Sequence, residues 1–390
     1  MFFKKRSLAV AVAAAAGLAF SAGAHATNGI IQAGNGMAAH GLGGAGLSNA
    51  NEAMSGFDNP ALISDTGDSI SMGFSMFMPD RSFTYLGTDI KSDAKMFAIP
   101  QIAFTSRLNN LISWGIMVNA MGGMNTDYRS TPGGSPESVD LSGLIVAPTM
   151  SFALNKNISL GASVLVGYEN FRVRNLFNSG LSDEGSTMAY GVKLGVNAKV
   201  ADGISVGAVL QPKMSAGELS FFKNFLGAMG FMGDAELVLP NVAGVGAKFA
   251  IGKNIDIVTD LMYYQWSSVD VFDFFGWEDQ YVVKAGVEFR PTDKLALRGG
   301  FNYGPSPIKG GNLTNGPAPM DVAFANYPFP AISEFHVTVG LGYMIDKSMT
   351  VNAYYLYSPE NKEEMAIPPG VMSIQMSQNA FGIGINYQSK

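Results

Sequence analysis

Between residues 158 and 168 the chain alternates almost without a break. Ile158, Leu160, Ala162, Val164, Val166 and Tyr168 share one parity. Ser159, Gly161, Ser163, Gly167 and Glu169 share the other, with Leu165 the exception. The same pattern returns at Met188–Ala198, Tyr281–Phe289 and Phe335–Tyr343. Period-two alternation marks a strand with one apolar face and one polar or small face. A soluble sandwich would alternate too, but its solvent face would carry charge. Here only 14% of residues are charged, against roughly 25% in a soluble domain. Past the first residues no apolar run reaches the ~18 residues a spanning helix needs. The fold class that meets all three conditions is all-β: a transmembrane antiparallel β-barrel with its apolar parity toward lipid.

Turn signals give the strand count. Short polar reversals stand at Arg107-Leu108-Asn109-Asn110, Asn155-Lys156-Asn157, Ala201-Asp202-Gly203, Gly252-Lys253-Asn254, Pro291-Thr292-Asp293 and Asp346-Lys347-Ser348. Longer irregular stretches separate them, near 87–95, 122–142, 173–185, 215–235, 266–279, 304–334 and 358–373. Short turns alternating with long loops imply about 14 strands, an even number, with the loops on the outer side. A propeller would also repeat, but its blades need no lipid-facing alternation. Aromatics at strand ends, Tyr168, Tyr281, Tyr303, Tyr343 and Tyr387, fit an interfacial girdle.

The first residues read as an export leader: Lys4-Lys5-Arg6, an apolar run from Leu8 to Phe20, then Ala24-His25-Ala26. A basic start, a short apolar core and a small-residue cleavage site define a signal peptide over 1–26. The destination read from this and the barrel pattern is the outer membrane of a Gram-negative bacterium. There are no cysteines, which excludes disulfides and thiolate chemistry. The net charge of −6 argues against nucleic acid as a partner. Neither a cofactor nor a metal constellation is expected. Residues 27–66 lack strand periodicity and are rich in glycine, as in Gly41-Leu42-Gly43-Gly44-Ala45-Gly46 and then Asn59-Pro60-Ala61. Glycine lets backbone pack closely, so the segment reads as a plug inside the barrel formed by 67–390. Gly41-x-Gly43-x-x-Gly46 matches a dinucleotide fingerprint by its letters, but it lacks the preceding strand.

This glycine run, the Asn59-Pro60-Ala61 turn and the segment Gly300-Phe301-Asn302-Tyr303-Gly304-Pro305-Ser306-Pro307-Ile308 resemble the FadL/TodX family of outer-membrane transporters. The resemblance covers nearly the whole mature chain. It implies passive uptake of hydrophobic compounds: capture by outer loops, binding in the lumen, and sideways release near the third strand once the hatch shifts. That strand would lie near Leu111–Met121, followed by Gly122-Gly123, with Asn59-Pro60-Ala61 against its kink. The family's members take long-chain fatty acids or aromatic and alkane hydrocarbons. The resemblance also places a ligand-contacting arginine at Arg172, although its parity matches the lipid face.

Alternation points Lys193, Lys284 and Arg298 into the lumen, where a fatty-acid carboxylate would want a cation. The loop carrying Phe221, Phe222, Phe225 and Phe231 reads as an apolar capture surface, or as packing in the barrel mouth. Implied partners are a long-chain fatty acid or another hydrophobic small molecule, outer-membrane lipid with lipopolysaccharide, and the barrel-insertion machinery. That machinery reads a terminal aromatic, and here Gln388-Ser389-Lys390 follow Tyr387. A closed barrel of this size needs no second copy, so a monomer is expected. A general porin or structural barrel is the rival from another class, and a lipid-acting enzyme is a third. With only His40 and His336 past the leader, nothing assembles a catalytic triad.

Overall fold

The computed structural model describes residues 28–130, 137–308, 326–367 and 370–389. The leader expected at 1–26 lies outside the described residues, as does much of the outer loop expected at 304–334. Fourteen strands form the wall: β1 Ser69–Tyr85, β2 Phe97–Arg107, β3 Ile112–Asp127, β4 Ser138–Ala153, β5 Ile158–Arg174, β6 Asp183–Ala201, β7 Ile204–Gln211, β8 Asn241–Ile251, β9 Ile255–Gln265, β10 Gln280–Thr292, β11 Leu295–Tyr303, β12 Phe335–Met344, β13 Met349–Ile367 and β14 Gly370–Gln388. Each pairs antiparallel with the next. The pairing of β1 with β14, from Ser69↔Gln388 to Tyr85↔Met372, closes the barrel. Two further short strands hang on this wall, Thr88–Lys91 on β1 and Ser215–Ala216 on β6. Closure leaves no edge to be solvated, the condition lipid imposes on a β-structure.

All six expected reversals are inter-strand turns, and they gather at one end, called here the inner end. The apolar parity faces outward: Leu160, Val164, Tyr168, Val192, Val283, Val287, Val339 and Ile383 are exposed on the wall. Two expected loops are corrected. Residues 358–373 form a hairpin of the long strands β13 and β14, with a register shift between Ser358 and Asn361 that absorbs Pro359. Its charged stretch Glu360–Glu364 hid the strand pattern, because a ladder standing in water needs no apolar face. Likewise β3 runs on to Asp127 and β4 begins at Ser138, inside the stretch read as loop.

The inward parity has two zones. On β1 it passes from Ser69, Ser71, Gly73 and Ser75 to Phe77, Pro79, Arg81 and Phe83. On β4 it passes in the other direction, from Val139, Leu141 and Ile145 to Thr149 and Ser151. On β5, Ser159, Gly161 and Ser163 give way to Leu165, Phe171 and Val173. The inner half of the lumen is therefore polar and small, and the outer half apolar.

Residues 28–66 fill the inner half. They carry short helices, α1 Met37–His40, α2 Ser55–Asp58 and α3 Ile63–Thr66, with a 3-10 turn at Pro60–Leu62. These helices are too short to persist by propensity; the barrel holds them. Inward glycines make the room. A Cβ on Gly300 of β11 would lie 2.3 Å from the carbonyl carbon of Leu42, one on Gly207 of β7 2.0 Å from the Leu47 oxygen, and one on Gly161 of β5 2.3 Å from the Ala61 nitrogen. On the hatch side, Gly43 and Gly44 adopt φ of +71° and +82°, a region costly for any residue with a Cβ. In-strand glycines on the inward parity thus mark where the plug touches the wall.

Gly300→Val therefore dislodges the hatch, and its channel in planar bilayers conducts where the wild type is nearly closed. Gly299→Val is the control: its Cβ would find nothing nearer than the Thr338 oxygen at 4.0 Å, so conductance stays at the wild-type level.

Candidate functional site

The hatch is tied to the wall by hydrogen bonds as well as by close contact. Asp260 of β9 accepts from the Gly46 and Leu47 amides at 2.7 and 3.2 Å. Thr338 Oγ1 of β12 accepts from the Gly43 amide at 2.9 Å and donates to Gly41 O at 3.1 Å. Leu42 is fully buried against Gly286 and Gly300, and Ala45 is buried with it. Asn59 caps the 3-10 turn by accepting from Ala61 N. Its Nδ2 donates to Leu47 O at 2.7 Å and to Val196 O of β6 at 3.0 Å. Pro60 stands at the first position of that turn, where a missing N–H costs nothing. The Asn59-Pro60-Ala61 turn therefore sits against glycines of β5, β6 and β7. It does not sit against the kink of the third strand as expected; that kink meets Ile30.

Above the hatch lies a cavity of about 70 Å³. The hatch contributes Ile31, Leu47, Phe57 and Asp58. The wall contributes Ile145, Leu165, Val209, Met262, Lys193 and Lys284. Leu165, the one break in the alternation of β5, is a cavity residue. Apolar side chains on the inward parity were the signal for this site, and only Leu165 was singled out from the sequence. Both lysines are committed to the hatch. Lys193 Nζ donates to Phe57 O at 2.9 Å and lies 5.0 Å from the centre of that ring. Lys284 Nζ donates to Ala33 O at 2.6 Å.

One side of the cavity is β3 itself, through Ala120 and Met121. The ladder between β2 and β3 runs only from Arg107↔Ser113 to Ile102↔Val118. Beyond Val118, β3 stays paired with β4 but leaves β2, and Met121 is bulged out of register between Ala120↔Leu144 and Gly122↔Gly143. From Asn119 to Thr126 every residue is buried, so the strand has lost its two-faced character. Gly122, at φ +141°, allows this bend; a Cβ there would lie 2.6 Å from the Ile30 oxygen. The parting is bounded at its outer end, where Asp93 N donates to Asp127 O at 2.8 Å and Asp127 N to Ser92 Oγ at 2.9 Å. Hatch and wall side chains bridge the parting: Gly36 N donates to Gln101 Oε1, Gln101 Nε2 to Gln32 Oε1 and Gln32 Nε2 to Asn119 Oδ1. The result is a window in the wall between β2 and β3, with the cavity behind it.

An aromatic cap covers the outer mouth. The loop after β7 carries helix α4 Ser220–Ala228. Phe222 and Leu226 of α4 are fully buried, and Phe231 nearly so. Phe222 packs edge-on to Phe171 at 4.9 Å, Phe221 stacks on Phe171 at 6.0 Å and Phe225 on Phe177 at 6.1 Å. These rings are spent on packing within the cap; Met232, 95% exposed, is the apolar group the loop presents outward. The two remaining candidate cations lie away from the cavity. Arg172 pairs with Glu184 at 2.6 Å, both exposed. Arg298 is held by Glu288 at 2.7 Å and Asn352 at 2.9 Å, beside Gly41 on the hatch floor.

The chain belongs to the family described as outer membrane protein transport protein (OMPP1/FadL/TodX), whose profile matches residues 8–390. Members of this family are transport channels and not enzymes. No curated protein matches the chain. The P. putida toluene transporter TodX shares its fold at TM-score 0.70, with 16% identity over 92% of this chain and 99% of that one. The Ralstonia pickettii toluene transporter TbuX does so at 0.66, with 15% identity over 92% and 99%. A Pseudomonas aeruginosa FadL homologue follows at 0.64, with 14% identity over 94% and 99%. At these identities the likeness is one of fold.

The buried hatch charges set a pH dependence. Burial pushes His40 down from 6.5 to about 4, against its bond to the Gly36 carbonyl and with the help of the Lys284 charge. Released from the wall, His40 takes a proton below pH 6.5; docked, it resists until about pH 4. Docking is thus weakened as pH falls through that window, by up to ~3 kcal/mol. Burial raises Glu52 and Asp58, so they act in the opposite sense and favour docking at low pH. Comparing wild type with His40→Asn isolates the histidine: channel conductance of the wild type rises more steeply from pH 6.5 to 4 than that of the variant.

Proposed function

We propose that the protein carries hydrophobic compounds passively across a Gram-negative outer membrane, and that the compounds leave sideways through the β2–β3 window. The observation that carries this reading is the apolar cavity whose wall at Ala120 and Met121 is also the bulged edge of that window. Hydrophobic cargo has no reason to cross the polar, glycine-lined inner half where the hatch sits. Leaving toward the bilayer keeps it in apolar surroundings throughout. The cavity of about 70 Å³ is about half of what takes one benzene, so entry requires the hatch or the flexible Met121 and Met262 to give way.

Long-chain fatty acids are the favoured cargo, because Lys193 and Lys284 line the cavity and donate to hatch carbonyls, with the carboxylates of Asp58 and Asp260 beside them in the same lining. An ionised carboxylate is a stronger acceptor than a carbonyl. A bound acid would take both lysines from Phe57 and Ala33, and so couple binding to release of the hatch. The second reading is neutral aromatic or alkane hydrocarbon uptake, favoured by the small size and apolar lining of the resting cavity. On either reading the barrel works as a monomer, is bathed by membrane lipid and lipopolysaccharide, and reaches the membrane through the barrel-insertion machinery.

Uptake of labelled oleate and of labelled toluene, in cells lacking their own transporter, separates the readings. Oleate uptake that falls in Lys193→Met/Lys284→Met while toluene entry does not supports the acid; toluene uptake alone supports the hydrocarbon. Deletion of Met121 lets β3 continue along β2 and shuts the window. It lowers uptake of whichever cargo is carried, with the barrel's heat-modifiable gel mobility retained. Unchanged uptake in that variant would sink lateral release.

A further inference from the structure

Among the described residues of the apolar outer half of the lumen, the buried ionisable side chains of Arg81 and of Glu169 on β5 are explained by neither the hatch nor the cavity. Arg81, on the inward parity of β1 between Phe77 and Phe83, is 1% exposed. It makes no ion pair among the described residues. Its guanidinium lies over the rings of Phe77 and Phe97, at 6.0 and 5.8 Å from their centres, and Nη1 donates to the main-chain oxygen of Asn125. Nε and Nη2 have no partner among the described residues. Glu137, the carboxylate on the adjoining loop, is taken up by Tyr327 Oη and the Phe177 amide.

Its position is specific. Phe97 is the first residue of β2, Asn125 lies near the outer end of β3, and the two strands are unpaired between them. Arg81 therefore spans the window from behind, at its outer corner. The two unpartnered nitrogens form one edge of the guanidinium, the edge that takes both oxygens of a carboxylate in parallel. A buried charge without a counter-ion is costly to keep unless something completes it. From this we infer that Arg81 is a carboxylate-binding site at the window: it holds the head of an apolar acid while the tail lies through the wall toward lipid. Phe97 is half-buried and Met96 beside it is 66% exposed, so the lip over the site is the part of the wall that must yield to admit the head. The inference rests on the transport of apolar acids proposed above. It adds a second cation on the route, after Lys193 and Lys284, that acts at exit and not at hatch release.

The test is calorimetric binding of dodecanoate and dodecanol to the full-length protein in detergent, above the pH at which the acid ionises. The wild type is expected to prefer the acid by about tenfold or more. Arg81→Met lowers that preference at least several-fold, leaving the part that rests on Lys193 and Lys284, while dodecanol affinity stays unchanged, and Arg81→Lys loses less of it. An acid preference kept in full by Arg81→Met overturns the inference and leaves the lysines as the anion site. Equal loss of both ligands assigns Arg81 to holding β3 through Asn125, and also overturns it. A wild type that binds dodecanol but shows no acid preference overturns both the inference and the fatty-acid reading; one that binds neither removes the transport reading as well. If Arg81→Met does not fold, wild-type crystals soaked in 11-bromoundecanoate decide. A carboxylate about 3 Å from Arg81 Nε and Nη2, with bromine toward the window, supports the site; carboxylates found at the lysines or elsewhere with none at Arg81 overturn it.

Discussion

Lipid offers no hydrogen bonds, so each strand of the wall depends on its two neighbours for its backbone partners. The ladder closes around the circumference, with a parting where β3 leaves β2 beyond Val118. That departure would be untenable if the freed groups met hydrocarbon. It is possible because β3 turns inward, where Asn119 through Thr126 are buried, and because side chains take some of the freed main-chain groups: Ala120 N donates to Asn119 Oδ1 and Asn125 O accepts from Arg81. The window is thus a local exception whose cost these side chains offset in part. Hatch and window belong to one device: moving Gln32 and Gly36 removes the side-chain bridge that keeps the parting in place.

The division of the lumen follows from the same device. A plug with short, unstable helices needs wall backbone at van der Waals distance, and only glycine permits that; hence Gly161, Gly207 and Gly300 on the inward parity. Beyond the plug the barrel would be an open tube, and there the inward parity turns apolar and the aromatic cap closes the mouth. The cavity lies at the junction, between the polar floor that the hatch forms and an apolar roof that is packed. Lysines at that junction can answer to either the hatch or a cargo.

Much of this was legible in the chain. Alternation with few charges read directly as a lipid-facing wall, and polar turns of three or four residues located all six inner reversals. Long polar stretches misled: Glu360–Glu364 stands in a strand hairpin, because a ladder outside the membrane carries no face pattern. The site was less legible. Lys193 and Lys284 were found because parity alone places a side chain in the lumen. Their bonds to Phe57 O and Ala33 O were not, since they join positions 136 and 251 residues apart. The loop of Phe221, Phe222, Phe225 and Phe231 read as either a capture surface or packing in the mouth, because sequence cannot distinguish an exposed aromatic cluster from one that packs on itself. Arg81 drew no notice, because a cation on the inward parity is ordinary and only the loss of its partners makes it otherwise.

What the sequence determined by itself is therefore the periodic part: which face of each strand meets lipid, how many strands there are, and which residues look inward. Those follow from a repeat of two and from the solvent each face must suit. What only the tertiary structure decided is non-local. The seat of Asn59 against β5 to β7, the break between β2 and β3 and the isolation of Arg81 each depend on which distant segments close around a given side chain. Neither parity nor composition carries that information.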